Sequence, residues 1–321
     1  MLTHIKHLLE MIRFSHTLFA LPFALLAATM AIVSLSNPPP LSIQRPAAER
    51  GVLLPLWKPR FRASTSSVLT GIALCMVSAR AAAMAFNRIA DRKIDAANPR
   101  TRTRHIPMRV LTVWQVWAFF AACCIGFIAA TKLFFPNRLP FYLSIPVLLF
   151  LCSYSYAKRF TALAHFWLGA ALMLAPVCAW IAIRGEDVVN DPLDLLPAMI
   201  LGGAVMLWVA GFDIIYACQD VDFDKQAGLH SVPATIGVKN ALRLAAVCHL
   251  GMIVLLAVLP WFYPLFGWVY GSGIAAVAGL LIYEHSLVRA DDLTRVNVAF
   301  FNVNAVVSIG LFAIGALDLL T

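Results

Sequence analysis

Nine apolar stretches of near-spanning length recur along the chain, at 14–35, 67–90, 111–131, 139–157, 161–183, 195–217, 238–259, 264–285 and 298–319. The hydrocarbon core of a bilayer takes about 20 apolar residues of helix. In lipid every backbone N–H and C=O must be paired within the protein, so a chain of this kind folds as a bundle of helices. Charged residues are 13% of the 321, against roughly 25% in soluble domains. The expected class is all-α: a polytopic, integral membrane protein with nine transmembrane helices in one domain, 1–321. The first stretch is long enough to span and no small-residue cleavage site follows it, so it is read as a helix rather than a removed leader.

The connections differ in chemistry. "SNPPPLSIQRPAAERGVLLPLWKPRFRAST" is Pro-rich and lacks helical periodicity, and is read as an irregular external loop over about 37–66. The segment "RGEDVVNDPLDLL" is a short acidic connection between helices five and six. Apart from the basic loop at 37–66, Lys and Arg concentrate in the segments that lie inside if the N-terminus is inside. This orientation predicts an inner-membrane protein whose 2–3 and 6–7 connections face the cytoplasm. The net charge of +9 then reflects topology and contact with anionic membrane lipid. No basic stretch is interleaved with aromatics, so no nucleic-acid partner is expected. The seven cysteines are scattered in apolar runs without a C-x-x-C pair and are read as small buried hydrophobes.

Polar residues gather in two of these connections. "FNRIADRKIDAANPRTRTRHIP" carries Asn87, Asp91 and Asp95 at spacings of four, on one side of a helix that continues past the second span. "GFDIIYACQDVDFDKQAGLHS" carries Asp213, Asp220 and Asp224 on one stripe, with Tyr216 on the same side; Asp222 falls off it. Helices two and six are both even-numbered, so they cross in the same direction and their C-terminal ends emerge on one face. Two acidic stripes far apart in sequence are thereby expected to meet across one cavity.

Acids at helix C-termini oppose the macrodipole, are costly near hydrocarbon, and raise one another's pKa when they face each other. A shared cation relieves all three costs. The ligands are all oxygen, which favours Mg²⁺ over Ca²⁺, and Mg²⁺ fills its remaining positions with water and substrate phosphate. Arg92, Lys93, Arg102 and Arg104, with Lys158 and Arg159 in "YAKRF", are candidates for holding phosphate oxygens. Such a set suits an amphiphile with a diphosphate head and a lipid tail. A cation-coupled transporter is the rival of another class; its acids would sit near the midplane on broken helices rather than at helix ends. His16, His105, His165, His230 and His249 show no ligand spacing and are read as structural, and Gly202-Gly203 as a packing contact.

At these motifs, and at "RFSHTLFALPFALLAA" and "VPATIG", the chain resembles the UbiA superfamily of intramembrane aromatic prenyltransferases. The resemblance implies nine helices around a central cavity capped by the two acidic loops. It further implies that Asn87, Asp91, Asp95, Asp220 and Asp224 hold Mg²⁺–diphosphate, the four Asp being catalytic. Asn87, Arg92, Lys93, Lys158, Arg159, Asp213, Tyr216 and Ser231 would bind substrate. Two features depart from the common pattern: Arg88 stands where many members have Asp, and "RHIPMRV" lacks the usual glycine. The pattern looks most like the branch that transfers a polyprenyl group from polyprenyl diphosphate to an aromatic acid, 4-hydroxybenzoate, for ubiquinone-type quinones. Relatives that prenylate a dihydroxynaphthoate for menaquinone are the alternative.

Overall fold

The computed structural model describes His7, Leu8, Glu10, Met11, 19–36 and 64–321. The expected external loop therefore lies outside the described residues apart from 64–66. Nine long helices follow: α1 Leu21–Ser36, α2 Thr65–Ala90, α3 Val113–Ala130, α4 Leu139–Ala157, α5 Ala164–Asn190, α6 Leu196–Ala217, α7 Val238–Phe262, α8 Trp268–Ser286 and α9 Asn304–Leu320. Each falls on one of the nine apolar stretches, and the described residues contain no strand. Seven are long and apolar enough to cross a membrane. The other two are α1, described over 16 residues, and α8, whose 19 residues end in Glu284 and His285.

Two boundaries differ from the sequence reading. The acidic connection between helices five and six is largely helical, because α5 bends at Arg184 and runs on to Asn190. Arg184 NH2 reaches Asp194 Oδ1 at 2.5 Å and Asp187 Oδ2 at 3.4 Å, so its own carboxylate neighbours hold it beside the bend. The last stretch begins with a turn at Val296–Val298 and a π segment at Ala299–Val303 before α9. Asn304 Nδ2 donates to the carbonyls of Ala299 and Phe300 at 3.1 and 3.2 Å, which satisfies acceptors that the wider turn leaves open. The same amide donates to Glu284 Oε1, and Asn304 Oδ1 accepts from Trp208 Nε1 at 2.6 Å, tying α9 to α8 and α6 inside the bundle.

Chain neighbours pack on each other around the bundle: α2 on α3, α4 on α5, α5 on α6, α6 on α7 and α8 on α9, with α1 lying against α5 and α9. Helix α6 is the most enclosed, while α3 and α4 turn most of their surface outward. Close approach at the centre needs small side chains, since lipid supplies no hydrophobic drive between helices. A Cβ at Gly169 of α5 would collide with the Met206 carbonyl oxygen of α6, and one at Gly202 would lie 2.8 Å from Met173 Cγ. The packing role expected of Gly202 is borne out. Phe23 of α1 packs its ring against Trp208 of α6 at 5.2 Å between centroids, and Leu26 of α1 lies against Gly315 of α9.

Both polar connections lie at one end of this bundle. Asp91 caps the end of α2, and the short helix Arg92–Ala97 follows it. At the end of α6 a turn at Cys218–Asp220 leads into the short helix Val221–Gln226.

Candidate active site

Backbone hydrogen bonds hold the first acidic stripe in register. Asp91 N donates to Asn87 O at 2.9 Å and Asp95 N to Asp91 O at 2.8 Å, so helical spacing survives the break at Asp91. Asn87 Nδ2 donates to Asp91 Oδ2 at 2.8 Å. Arg159, from the connection after α4, donates to Ala90 O at 2.8 Å and to Asp91 Oδ1 at 3.2 Å. Asp95 is buried; its Oδ1 accepts from Arg104 at 2.6 Å, and Arg88 NH1 lies 3.9 Å from its Oδ2.

The second stripe begins deeper. Asp213 Oδ2 lies 2.6 Å from His165 Nδ1. Since His165 Nε2 accepts the Val232 N–H at 3.3 Å, the ring proton sits on Nδ1 and is donated to Asp213. One turn on, Tyr216 OH accepts from Arg100 NH1 at 2.8 Å, and the guanidinium lies over the tyrosine ring at 5.1 Å. Arg100 also grips Asp220 with its Nε, at 2.8 Å from Oδ1, and its NH2, on Oδ2. Asn98 adds a bond of 3.4 Å to the same carboxylate. Asp224 is buried.

The two stripes and their cations enclose one cavity of about 180 Å³. Asp213 of α6 and the carboxylates of the connections after α2 and α6 line its wall together with Arg100, Arg104, Lys158 and Arg159, an arrangement suited to a multiply charged anion with a cation. The parity argument from the sequence is thus realised.

The UbiA prenyltransferase family model matches residues 56–306. This chain belongs to that family. It is 33% identical over 226 residues to the 4-hydroxybenzoate octaprenyltransferase of Tolumonas auensis, covering 70% of this chain and 75% of that one. Against the protein of the same name from Alcanivorax borkumensis it is 31% identical over 275 residues, covering 82% and 90%. The structure of a UbiA homolog from Aeropyrum pernix K1 superposes with a TM-score of 0.76 at 30% identity, over 94% of this chain and 98% of that one. A UbiA homolog from Archaeoglobus fulgidus bound to GPP and Mg²⁺ shares the fold at 18% identity, with a TM-score of 0.64 over 98% of this chain and 100% of that one.

In this UbiA-family chain, ten of the residues singled out from sequence line the cavity: Asn87, Asp91, Asp95, Arg104, Lys158, Arg159, Asp213, Tyr216, Asp220 and Asp224. Four do not. Arg92 turns back to donate to Ile89 O at 2.8 Å, and Lys93 and Arg102 are exposed. Ser231 is fully buried, where its hydroxyl caps the short helix Val232–Ile236 by accepting from Ala234 N at 3.4 Å. Asp222, off the stripe, is exposed as expected. Sequence reasoning passed over Asn98, Arg100, Tyr154 and Ser155, which line the cavity, and His165 behind Asp213. Arg100 carried a signal, since it sits in the same "NPRTRTR" run as Arg104; His165 carried none, being a lone polar residue in an apolar stretch.

The donor set suits Mg²⁺. It is all oxygen, and Asp95 Oδ2 and Asp224 Oδ2 are buried without a hydrogen-bond donor. Among the described residues, however, no three of these acids bring ligand oxygens within 4.8 Å of one another. Each stripe therefore offers an ion one or two carboxylates at a time. Burial pushes the Asp91 carboxyl above the ordinary range. The charge of Asp95 adds to that, while hydrogen bonds from Arg159 and Asn87 pull against it.

Proposed function

We propose that this chain transfers a polyprenyl group from polyprenyl diphosphate to the ring of 4-hydroxybenzoate at the cytoplasmic face of the inner membrane, with Mg²⁺ as cofactor. The observation that carries the reading is the single cavity in which both acidic stripes alternate with Arg100, Arg104, Lys158 and Arg159. The names of the Tolumonas and Alcanivorax relatives supply the acceptor. The excess of Lys and Arg in the segments on the side of the N-terminus, apart from the basic loop at 37–66, supports the orientation.

Asp91 and Asp95 on one side, with Asn87, and Asp220 and Asp224 on the other are the residues that would hold Mg²⁺. The bound ion neutralises charge on the diphosphate as it departs. Arg104, Arg159 and Lys158 bind diphosphate oxygens at the mouth, and their fixed positions favour the charge that builds there as the allylic C–O bond breaks. Asp213 lies seven residues before Asp220 on α6, about 10 Å deeper at 1.5 Å per residue. Tyr154 of α4 lines the same cavity. The acceptor sits at this level, with its phenol oxygen toward Asp213, and its ortho ring carbon attacks the allylic cation. A cavity carboxylate takes the ring proton as aromaticity returns. A second space of about 60 Å³, lined by apolar side chains between α2, α3, α4 and α5 toward the other end of the bundle, would receive the far part of the prenyl tail.

Purified protein given Mg²⁺, a labelled polyprenyl diphosphate and a panel of phenolic and naphthoic acids tests this. Product on 4-hydroxybenzoate alone is expected. Product only on a dihydroxynaphthoate would move the acceptor to the menaquinone branch, and cation uptake by proteoliposomes without any product would replace the reaction altogether.

A further inference from the structure

Away from the acidic cavity, three ligand-type side chains converge where the N-terminal segment meets the connection after α2. His7, Leu8, Glu10 and Met11 are helical. Met11 is buried against Ala81, Ala85 and Ile89 of α2 and against Leu111 and Val116, with Leu8 packed beside it. This apolar anchor turns the neighbouring stripe of the same helix, His7 and Glu10 at i and i+3, toward His105. His7 Nδ1 lies 3.3 Å from Glu10 Oε2, and His105 Nε2 lies 3.7 Å from the same oxygen. The three ligand atoms all fall within 4.8 Å of one another, the only such triad among the described residues. The imidazole rings stand 5.8 Å apart at 56°, so neither stacks on the other.

We infer that His7, Glu10 and His105 form a site for a borderline divalent transition ion, Zn²⁺ first. A tetrahedral Zn²⁺ with N and O ligands at 2.0–2.1 Å has ligand–ligand edges of about 3.4 Å. One edge of the triad already has that length and another exceeds it by a few tenths. Two imidazoles with one carboxylate select Zn²⁺ over Mg²⁺, whereas the all-oxygen cavity does the reverse, so the two sites take different metals. The triad supplies three ligands, and a tetrahedral ion takes its fourth from water or an incoming ligand. The connection that carries His105 also carries Arg100 and Arg104, which hold Asp220 and Asp95. An ion here fastens the N-terminal segment to the strap that spans the mouth of the cavity.

The test uses tag-free full-length protein in detergent, stripped with chelator and titrated with Zn²⁺ in the presence of excess Mg²⁺. One equivalent of Zn²⁺ that Mg²⁺ does not displace is expected. Affinity should fall at least about tenfold in His7→Ala and in His105→Ala, while Asp91→Asn binds Zn²⁺ as the parent does. Co²⁺ added to the unaltered protein should give the intense visible bands of a tetrahedral nitrogen–oxygen site, a readout that needs no variant to fold. Absence of stoichiometric uptake, uptake unaffected by both histidine changes, or a thiolate-to-Co²⁺ charge-transfer band would overturn the assignment. The last two results would place the ion on cysteines.

Discussion

Arg100 and Asp220 lie 120 positions apart and form a two-pronged ion pair, with Nε donating to Oδ1 at 2.8 Å and NH2 to Oδ2. The pair joins the connection after α2 to the end of α6, closing the cavity mouth from one acidic motif to the other. Each Asp220 oxygen already accepts from the guanidinium, so an ion bound there would use their remaining lone pairs. Arg100→Ala should unlatch the two motifs and lower kcat/KM by roughly 10²–10³, in the range seen when a preorganised charged donor is removed. Arg100→Lys should recover little, because an ammonium cannot present two parallel donors. Steady-state kinetics on the purified variants checks both.

The upward-shifted Asp91 carboxyl carries a pH signature. A folded pKa above the unfolded one, ~3.9, means that the group's stabilising contribution is fully present below the unfolded value and is lost as pH rises through the folded one. Near neutral pH the ionised Asp91 therefore costs stability in protein without Mg²⁺. Asp91→Asn should melt higher than the parent at pH 7 without Mg²⁺, the gap closing toward low pH. It should also lose Mg²⁺-dependent stabilisation and turnover. Melting curves across pH, with and without Mg²⁺, read all of this.

Asp95 and Asp224 each keep one buried oxygen without a hydrogen-bond donor. Asp95 also holds Arg104, but removing the Asp224 charge relieves an unsatisfied group, so Asp224→Asn should fold with an unchanged or higher melting temperature. Prenyl transfer should nonetheless drop below detection. A loss of fold along with activity would contradict the assignment of this carboxylate as an ion ligand.

His165 touches Asp213 and the Val232 N–H, and is itself fully buried. As a positioning residue it should act on the acceptor end alone. His165→Ala should raise the KM for the aromatic acid about tenfold or more, with little change in the KM for the diphosphate. His165→Asn, which keeps a donor toward Asp213, should recover part of the loss. Equal effects on both substrates would mean only general loosening of the α5–α6 contact.

That contact can be probed separately. Gly169→Ala places a Cβ against the Met206 carbonyl, where backbone cannot give way cheaply. A destabilisation of about 1–3 kcal/mol is expected, as in overpacked cores. Thermal melting and binding of the diphosphate should fall together.

The sequence displays the acids openly because their cost in lipid makes them conspicuous. Asn87, Asp91 and Asp95 announce their shared face through a spacing of four, and the parity of α2 and α6 assigns both motifs to one end. Arg100 was harder to place, since in a basic run any arginine can serve topology, and only the fold shows which one turns inward. His165 could not be read at all: its partner is 48 positions away and its own surroundings are apolar. Ser231 misled for the opposite reason. Its position at the end of a motif suits substrate contact equally well as the helix cap it proves to be. The long helices followed from hydropathy, but the kink at Arg184 and the π segment at Ala299–Val303 arise from tertiary ion pairs and hydrogen bonds that no periodicity encodes.

In the proposed reaction, depth along α6 separates what the two ends of the cavity would recognise. Residues level with Asp220 would meet a headgroup common to every chain length of donor, whereas those level with Asp213 would meet the ring that distinguishes one quinone precursor from another. On that reading a lineage of such proteins would exchange its aromatic partner through a few inward substitutions while the pyrophosphate grip stays untouched.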